Sequence, residues 1–293
     1  MDRRLLWSVV LNVAITAAEV VGGFLSGSLA LLADALHNLS DVVALALALL
    51  ARRVGRRPPS ASHTYGLKRV EVLSALVNAL ALFAITGFIA REALLRLLNP
   101  QPVKAGLMLG VALVALGANL ASVFLLRRHK AEDLNVKSAF LHLLQDALAS
   151  LAVVLAALFS GTGMGPYLDP LASLLVGFAV LYSALYIVWE SVGMLVEGTP
   201  RGLDLQALVE ETEVTFAPIR LHHLHVWEVG PGQRILTAHV SVPEMGVAAC
   251  ECLFQRIRVR LHDRWDIEHA TLEAEVNGCG HNGECGAPGG VKE

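Results

Sequence analysis

The chain has 293 residues, 55% of them hydrophobic and 17% charged, with a formal net charge of −3. A soluble domain carries about 45–50% apolar and about 25% charged residues. The surplus here lies upstream of Gly198, which excludes a wholly water-soluble chain and predicts a membrane part followed by a part in water. The small net charge gives no support for a nucleic-acid partner. Cys250, Cys252, Cys279 and Cys285 all follow Gly198; their number and crowding fit thiols in a reducing cytoplasm better than a disulfide framework.

A hydrocarbon core about 30 Å thick needs roughly 20 apolar helical residues. In chain order, segments 5–25, 29–50, 70–94, 107–126, 136–159 and 168–196 meet that requirement. Gly27, Pro58-Pro59, Asn99-Pro100 and the stretch 161–166 punctuate them. The first segment follows Arg3 and Arg4, as a secretory signal would. Its apolar run is too long for a signal core and holds Glu19, so it reads as a retained helix. Arg52, Arg53, Arg56, Arg57, Lys68 and Arg69 lie between the second and third segments; Arg127, Arg128 and Lys130 follow the fourth. The first and fifth connections have no Lys or Arg, although Arg91, Arg96 and Lys104 blur the third. Positive charge on the inside then places both termini in the cytoplasm.

After Pro200 the periodicity changes. Residues 203–216 and 247–265 read as amphipathic helices; 220–229, 234–242 and 267–276 read as strands, the first two joined at Gly230-Pro231-Gly232. This order predicts a small α+β domain with helices on one face of a sheet. The expected organisation is a transmembrane domain over 1–198, a cytoplasmic domain over 199–276 and a Gly-rich flexible tail over 277–293.

The second segment contains Asp34, His37 and Asp41, whose spacing puts them on one helical face; the fifth contains His142 and Asp146, again four apart. A charged side chain at the bilayer centre costs at least about 2.5–3.5 kcal/mol. It must face the bundle interior, find a partner or hold an ion. One such residue is as readily a polar contact between helices as a functional group. Two His-x-x-x-Asp pairs, His37/Asp41 and His142/Asp146, weigh toward a metal site. Two imidazoles and two carboxylates form a closed tetrahedral set suited to Zn²⁺. Magnesium prefers all-oxygen sites, and no thiol lies in a segment to favour Cu(I). With both carboxylates ionised the site carries −2 and neutralises Zn²⁺. Its ligands must shed protons to bind, so exchange of metal for protons is chemically available.

The motifs ADALHNLSD, HTYGLKRVEVLSALVN and HLLQD, with LHHLHVWEV, ILTAHV and IEHATLEAEV after Pro200, resemble the cation diffusion facilitator family over nearly the whole chain. The resemblance implies a homodimer of six-helix subunits in the cell inner membrane, each with a ferredoxin-like cytoplasmic domain, expelling Zn²⁺ in exchange for protons. It implies a transport site of His37, Asp41, His142 and Asp146. It also implies a cytoplasmic zinc site of His222, His239, His269 and Glu275, with Glu273 near. Strand alternation puts His222 on one face with Leu224 and Val226, and His223 and His225 on the other, so those two remain alternatives to His222. The loop around His63 has Ser60 and Leu67 where relatives place further ligands, so no complete site is expected there. Arg69 and Glu197 match positions of a charge interlock between subunits. Cys279, His281 and Cys285 form either a metal-capturing tail or a merely metal-binding flexible one. Cys250 and Cys252, two apart on a helix, do not suit one ion.

Three other functions use some of the same residues. A broader exporter would also take Cd²⁺, Co²⁺ or Ni²⁺. An intramembrane zinc enzyme would need an open coordination position and a general base, and no His-Glu-x-x-His helix is present. A sensor has no need of ligands at membrane depth.

Overall fold

The computed structural model describes residues 3–126 and 134–276, with side chains described over 13–124, at 140 and over 143–276. Six helices lie over the six apolar segments: α1 (Arg3–Ser26), α2 (Leu29–Gly55), α3 (Arg69–Leu98), α4 (Ala105–Leu126), α5 (Leu134–Leu158) and α6 (Gly165–Leu195). Four are long and apolar enough to cross a membrane, namely α2, α3, α4 and α6. The apolar described stretches of α1 and α5, Val13–Ser26 and Leu143–Leu158, are shorter. The chain forms two compact units. One comprises Met1–Leu49 and Ala75–Val188, the other Leu50–Ser74 and Trp189–Glu293.

The helical unit distributes polarity inside out. Large apolar side chains such as Phe24, Phe88, Leu175, Phe178 and Tyr182 are exposed, while Glu19, Asp34, His37, Asn38, Asn119, Asp146, Ser150 and Asp169 are buried. In water that pattern would be unstable; in lipid it is required, because hydrocarbon solvates Phe and cannot solvate Asp. Helix α2 joins two apolar clusters. Ala30 and Leu31 pack with Met108 and Ala112 of α4 and with Val153, Val154, Ala156 and Ala157 of α5. Ala33 packs with Leu82 and Ile89 of α3 and with Val176, Val180 and Ala184 of α6. Alanine at these contacts lets helix axes approach closely, which in a membrane replaces the missing hydrophobic drive between helices. Gly22 serves the same purpose between α1 and α4, since a Cβ there would lie 2.7 Å from Val111 Cγ2.

The turn from α1 to α2 is fixed from a distance. Gly27, at φ +75°, ends α1 in the left-handed region that glycine enters without strain. Asp169 of α6 then caps α2: its carboxylate accepts from Leu29 N (2.9 Å), Ala30 N (3.2 Å) and the Ser28 hydroxyl. Ser28 Oγ also accepts from Leu31 N at 3.1 Å. These are donors that a helix start leaves unsatisfied, and a negative charge there complements the helix dipole.

In the second unit, α7 (Leu205–Thr215) begins two residues after the predicted start because Asp204 caps it, accepting from Ala207 N. Strands β1 (Arg220–Glu228), β2 (Arg234–Ser241) and β3 (Ile267–Glu275) form a sheet of order β1-β2-β3. The first pair is antiparallel and the second parallel, so α8 (Val247–Trp265) is the crossover that parallel strands require. Leu208 of α7 and Phe254, Ile257 and Leu261 of α8 join Leu221, Val226, Leu236, Ala238, Val240 and Leu272 in one core, placing both helices on one sheet face.

Strict alternation fails in β1. A bulge between His222 and His225, with His223 at φ +51°, sets two residues, His223 and Leu224, against one of β2. Leu221 and Val226 therefore both reach the core and Leu224 packs against it, while His222 turns to the other face. The expectation that His222 shares a face with Leu224 and Val226 is thus corrected.

Removing the distant cap should be costly. Asp169→Ala is expected to lower the unfolding free energy in detergent by about 1.5–3 kcal/mol, the range for hydrogen bonds to a buried charge, with Asp169→Asn losing less. Equal denaturation midpoints for wild type and Asp169→Ala would remove this role.

Candidate metal centres

Helix α2 presents Asp34, His37 and Asp41 from successive turns, and α5 presents Asp146 beside it. His37 Nε2 lies 3.8 Å from Asp41 Oδ2 within α2 and 3.5 Å from Asp146 Oδ1 across to α5. Two ligand atoms each about 2.0–2.1 Å from a tetrahedral zinc stand about 3.3–3.4 Å apart. Each of the two pairs that His37 makes is near that spacing, while His37, Asp41 and Asp146 are not all within mutual reach of one another. His37 and Asp146 are buried, while Asp41 is partly exposed and gives the cluster an open side. The side chain of His142 lies outside the described residues; its backbone is in α5, one turn before Asp146.

Asp34, on the same face, turns elsewhere. Its Oδ2 accepts from Ser150 Oγ of α5 at 3.0 Å, and Ser150 accepts from Asn119 Nδ2 of α4 at 3.1 Å. Glu19 of α1 accepts from Asn38 Nδ2 of α2 at 3.1 Å. The sequence reading passed over Asn38, Asn119 and Ser150 because they carry no charge. Their signal was still present, since an amide or hydroxyl inside an apolar run needs a partner as a carboxylate does.

The second cluster lies on the sheet face away from α7 and α8. His222 and His239 are register partners on β1 and β2. Glu275 of β3 holds both: Oε2 is 2.9 Å from His222 Nε2, and Oε1 is 2.7 Å from His239 Nδ1. Among the described residues this is the one group of three or more His, Cys, Asp or Glu with ligand atoms in mutual reach, all within 4.8 Å. Glu273 Oε2 stands 3.6 Å from His239 Nε2. Desolvation pushes the Glu275 carboxyl up, but the hydrogen bonds and charge of His222 and His239 outweigh it and hold it below the ordinary carboxylate value. Two imidazoles and a carboxylate are a donor set that fits zinc.

The bulge brings further imidazoles close. His223 stacks on His239 with ring centres 4.8 Å apart, and His225 lies 4.9 Å from His223. His269 is not brought to this cluster. It stands six residues before Glu275 on β3, about 20 Å along the strand, edge-on to Tyr65 at 6.5 Å.

The remaining candidates are dispersed. His63 sits in an exposed turn beside Ser60 and Ser62. Cys250 packs against the α8 core while Cys252 is exposed, so the two face different sides. Arg69 and Glu197 pair within one chain at 2.8 Å, both well exposed. A pair in that setting contributes about 0–1 kcal/mol. Cys279, His281 and Cys285 lie outside the described residues.

Apolar helices that bury histidine and carboxylates, followed by a small α+β unit with a second such cluster, define a multi-pass membrane protein with ionisable groups inside its bundle. A profile described as the cation efflux transmembrane domain matches residues 5–196. Zinc transporter ZitB of Escherichia coli (strain K12) is 43% identical over 292 residues, covering 99% of this chain and 92% of that protein. The cation efflux system protein CzcD of Alcaligenes sp. (strain CT14) is 34% identical, over 95% of this chain and 88% of its own. A Bacillus subtilis (strain 168) protein named cadmium, cobalt and zinc/H(+)-K(+) antiporter is 33% identical, over 95% and 90%. The chain belongs to the cation efflux, or cation diffusion facilitator, family.

Ser150 tests the buried polar path independently of metal. Ser150→Ala strands Asp34 Oδ2 and the Asn119 amide, and is expected to destabilise the purified protein by about 1–3 kcal/mol. Chemical denaturation followed by tryptophan fluorescence measures this, and an unchanged midpoint would contradict the buried path.

Proposed function

We propose that this chain exports Zn²⁺ from the cytoplasm in exchange for protons. Membership of the cation efflux family makes it a transporter and not an enzyme, which disposes of the intramembrane hydrolase. The observation that carries the zinc reading is the meeting of His37 with Asp41 and Asp146 between α2 and α5, inside a bundle whose outer surface is apolar. We assign His142 as the fourth ligand, since it stands one turn before Asp146 on the same helix. Four such donors neutralise a divalent ion, and each must be deprotonated to bind it. Metal therefore loads where protons are scarce and leaves where they are abundant, which is the chemistry of an antiporter.

The wider architecture follows from the same reading. All six helices cross the inner membrane, with α1 and α5 completing the count. Both termini lie in the cytoplasm, as the basic residues flanking the second segment require. Residues 1–198 form the membrane domain and 199–276 a ferredoxin-like cytoplasmic domain, which pairs with a second copy in a homodimer. There His222, His239 and Glu275 hold a regulatory zinc, with Glu273, His223 and His225 close by as further donors. His269, about 20 Å along β3 from Glu275, has no part in this site within one chain. The B. subtilis relative, named for cadmium, cobalt and zinc, supports a second reading in which the same ligands accept several soft-to-borderline divalent ions.

In proteoliposomes with an imposed pH gradient, Asp41→Ala and Asp146→Ala are each expected to cut zinc flux by at least about tenfold, since losing even a partner that orients a metal ligand costs about 10–100-fold. Undiminished flux in both would overturn the transport-site assignment, and equal flux of Cd²⁺ or Co²⁺ in the wild type would select the broader reading. Equilibrium dialysis of the full-length protein separates the second site. His239→Ala with Glu275→Gln should lose tightly bound zinc that Asp41→Ala with Asp146→Ala retains, and an unchanged zinc count would dissolve the cytoplasmic site.

A further inference from the structure

The helical unit buries a second acidic pair beside the His37 cluster. Glu19 of α1 is 0% exposed and Asp34 of α2 is 1%. The two carboxyls interact side chain to side chain. Each has one oxygen held by a neutral donor, Glu19 Oε2 by Asn38 and Asp34 Oδ2 by Ser150. Among the described residues, no N–H or O–H donor reaches Glu19 Oε1 or Asp34 Oδ1. Nor is any Lys or Arg buried among them, so the pair has no cationic side chain to lean on.

An ionised carboxyl only accepts hydrogen bonds. Two of them in contact, cut off from water, repel each other, and each carries a desolvation penalty of several kcal/mol. A single proton between them removes one charge and supplies the missing donor. Such pairs take up and release that proton as a unit.

We propose that Glu19 and Asp34 form a proton-carrying site separate from the metal ligands. One proton adds to a carboxylate oxygen of the pair and later leaves it for water; no other bond changes. The placement couples it to the metal. Asp34 stands one turn before His37 on α2, and its partner Ser150 stands one turn after Asp146 on α5. Among the described residues, the titratable groups whose charge acts on the pair are His37 of α2 and Asp146 of α5, while α4 contributes the uncharged Asn119. A divalent ion held by His37 and Asp146 repels a proton on the neighbouring pair, and a proton there weakens the hold on the ion. Occupancy of the two sites is therefore mutually exclusive through charge alone. This inference rests on the zinc–proton exchange proposed above.

The test compares full-length wild type with Glu19→Gln and Asp34→Asn, each checked for monodispersity in detergent. Proton release is titrated as zinc is added. Both variants, fixed in the neutral form, should release about one proton fewer per zinc and bind zinc more weakly than wild type at neutral pH, a deficit that shrinks as the pH falls and the wild-type pair takes up its own proton. An unchanged proton count overturns the proposal. So does a loss of zinc affinity in both variants that stays the same as the pH is lowered, which would make the pair metal ligands. A variant whose potassium dependence, and not its proton count, disappears assigns the pair to a hard monovalent cation and overturns it equally. The wild type supplies a reading that needs no variant to fold: its infrared spectrum at neutral pH should contain a protonated-carboxyl band that zinc removes, and absence of that band defeats the proposal. Zinc flux under a pH gradient is the separate arm. Wild type that releases protons on zinc binding but moves no zinc sinks the exporter reading and leaves the pair standing.

Discussion

Hydrocarbon offers no hydrogen bonds, so every charge that enters the bundle must be answered by another helix. That constraint organises the helical unit. Asp34 is answered by Ser150 of α5, Glu19 by Asn38 of α2, His37 by Asp146 of α5, and Asp169 by the start of α2. All four of these answers run between different helices, and all four involve α2. The helix that carries two of the metal-type side chains is also the one tied to α1, α5 and α6. Its polar residues do not decorate a fold formed by other means; in lipid, where apolar contact drives association weakly, they help to select it.

The Asp169 cap shows how this tie reaches the site. The first turn of α2 has orphan donors that water would satisfy in a soluble protein. Here a side chain from α6 satisfies them, which fixes where α2 begins and how it is rotated. His37 lies about two turns further on, so its direction toward α5 depends on that rotation. A residue remote from the His37 cluster thus aims the histidine proposed to bind metal. The close alanine contacts of α2 with α4 and α5 act in the same sense, because a helix packed at short range has few alternative rotations.

Much of this was legible in the residues. Hydropathy placed six helices, and the spacing of His37 and Asp41 put them on one face. The order helix-strand-strand-helix-strand was also readable from periodicity. What was hidden depended on contacts remote in sequence. Nothing near Asp169 in the chain marks it as the cap of a helix that begins 140 residues earlier. Ser150 and Asn119 are ordinary residues until their neighbours are known. The bulge at His223 was invisible for another reason. Alternation assumes one residue per position, and a single left-handed residue shifts every later side chain to the other face. The histidine-rich run LHHLHVW offered two faces, and only the pairing of His222 with His239 chose between them.

The two clusters use similar donors under opposite conditions. On the sheet, His222, His239 and Glu275 are only half-buried, and water can solvate them when no ion is bound. A metal bound there could leave at little electrostatic cost, which suits the regulatory role proposed for this cluster. In the bundle, His37 and Asp146 are buried, and water cannot take over the charge balance when an ion departs. Something positive must arrive as the metal leaves, or the carboxylates must be neutralised. An exchanger therefore needs no separate device to forbid an empty, fully charged site, because the desolvation penalty forbids it already. On the proposed zinc–proton exchange, burial of His37 and Asp146 is what would turn a metal site into an exchange site, and the neighbouring Glu19 and Asp34 are subject to the same rule.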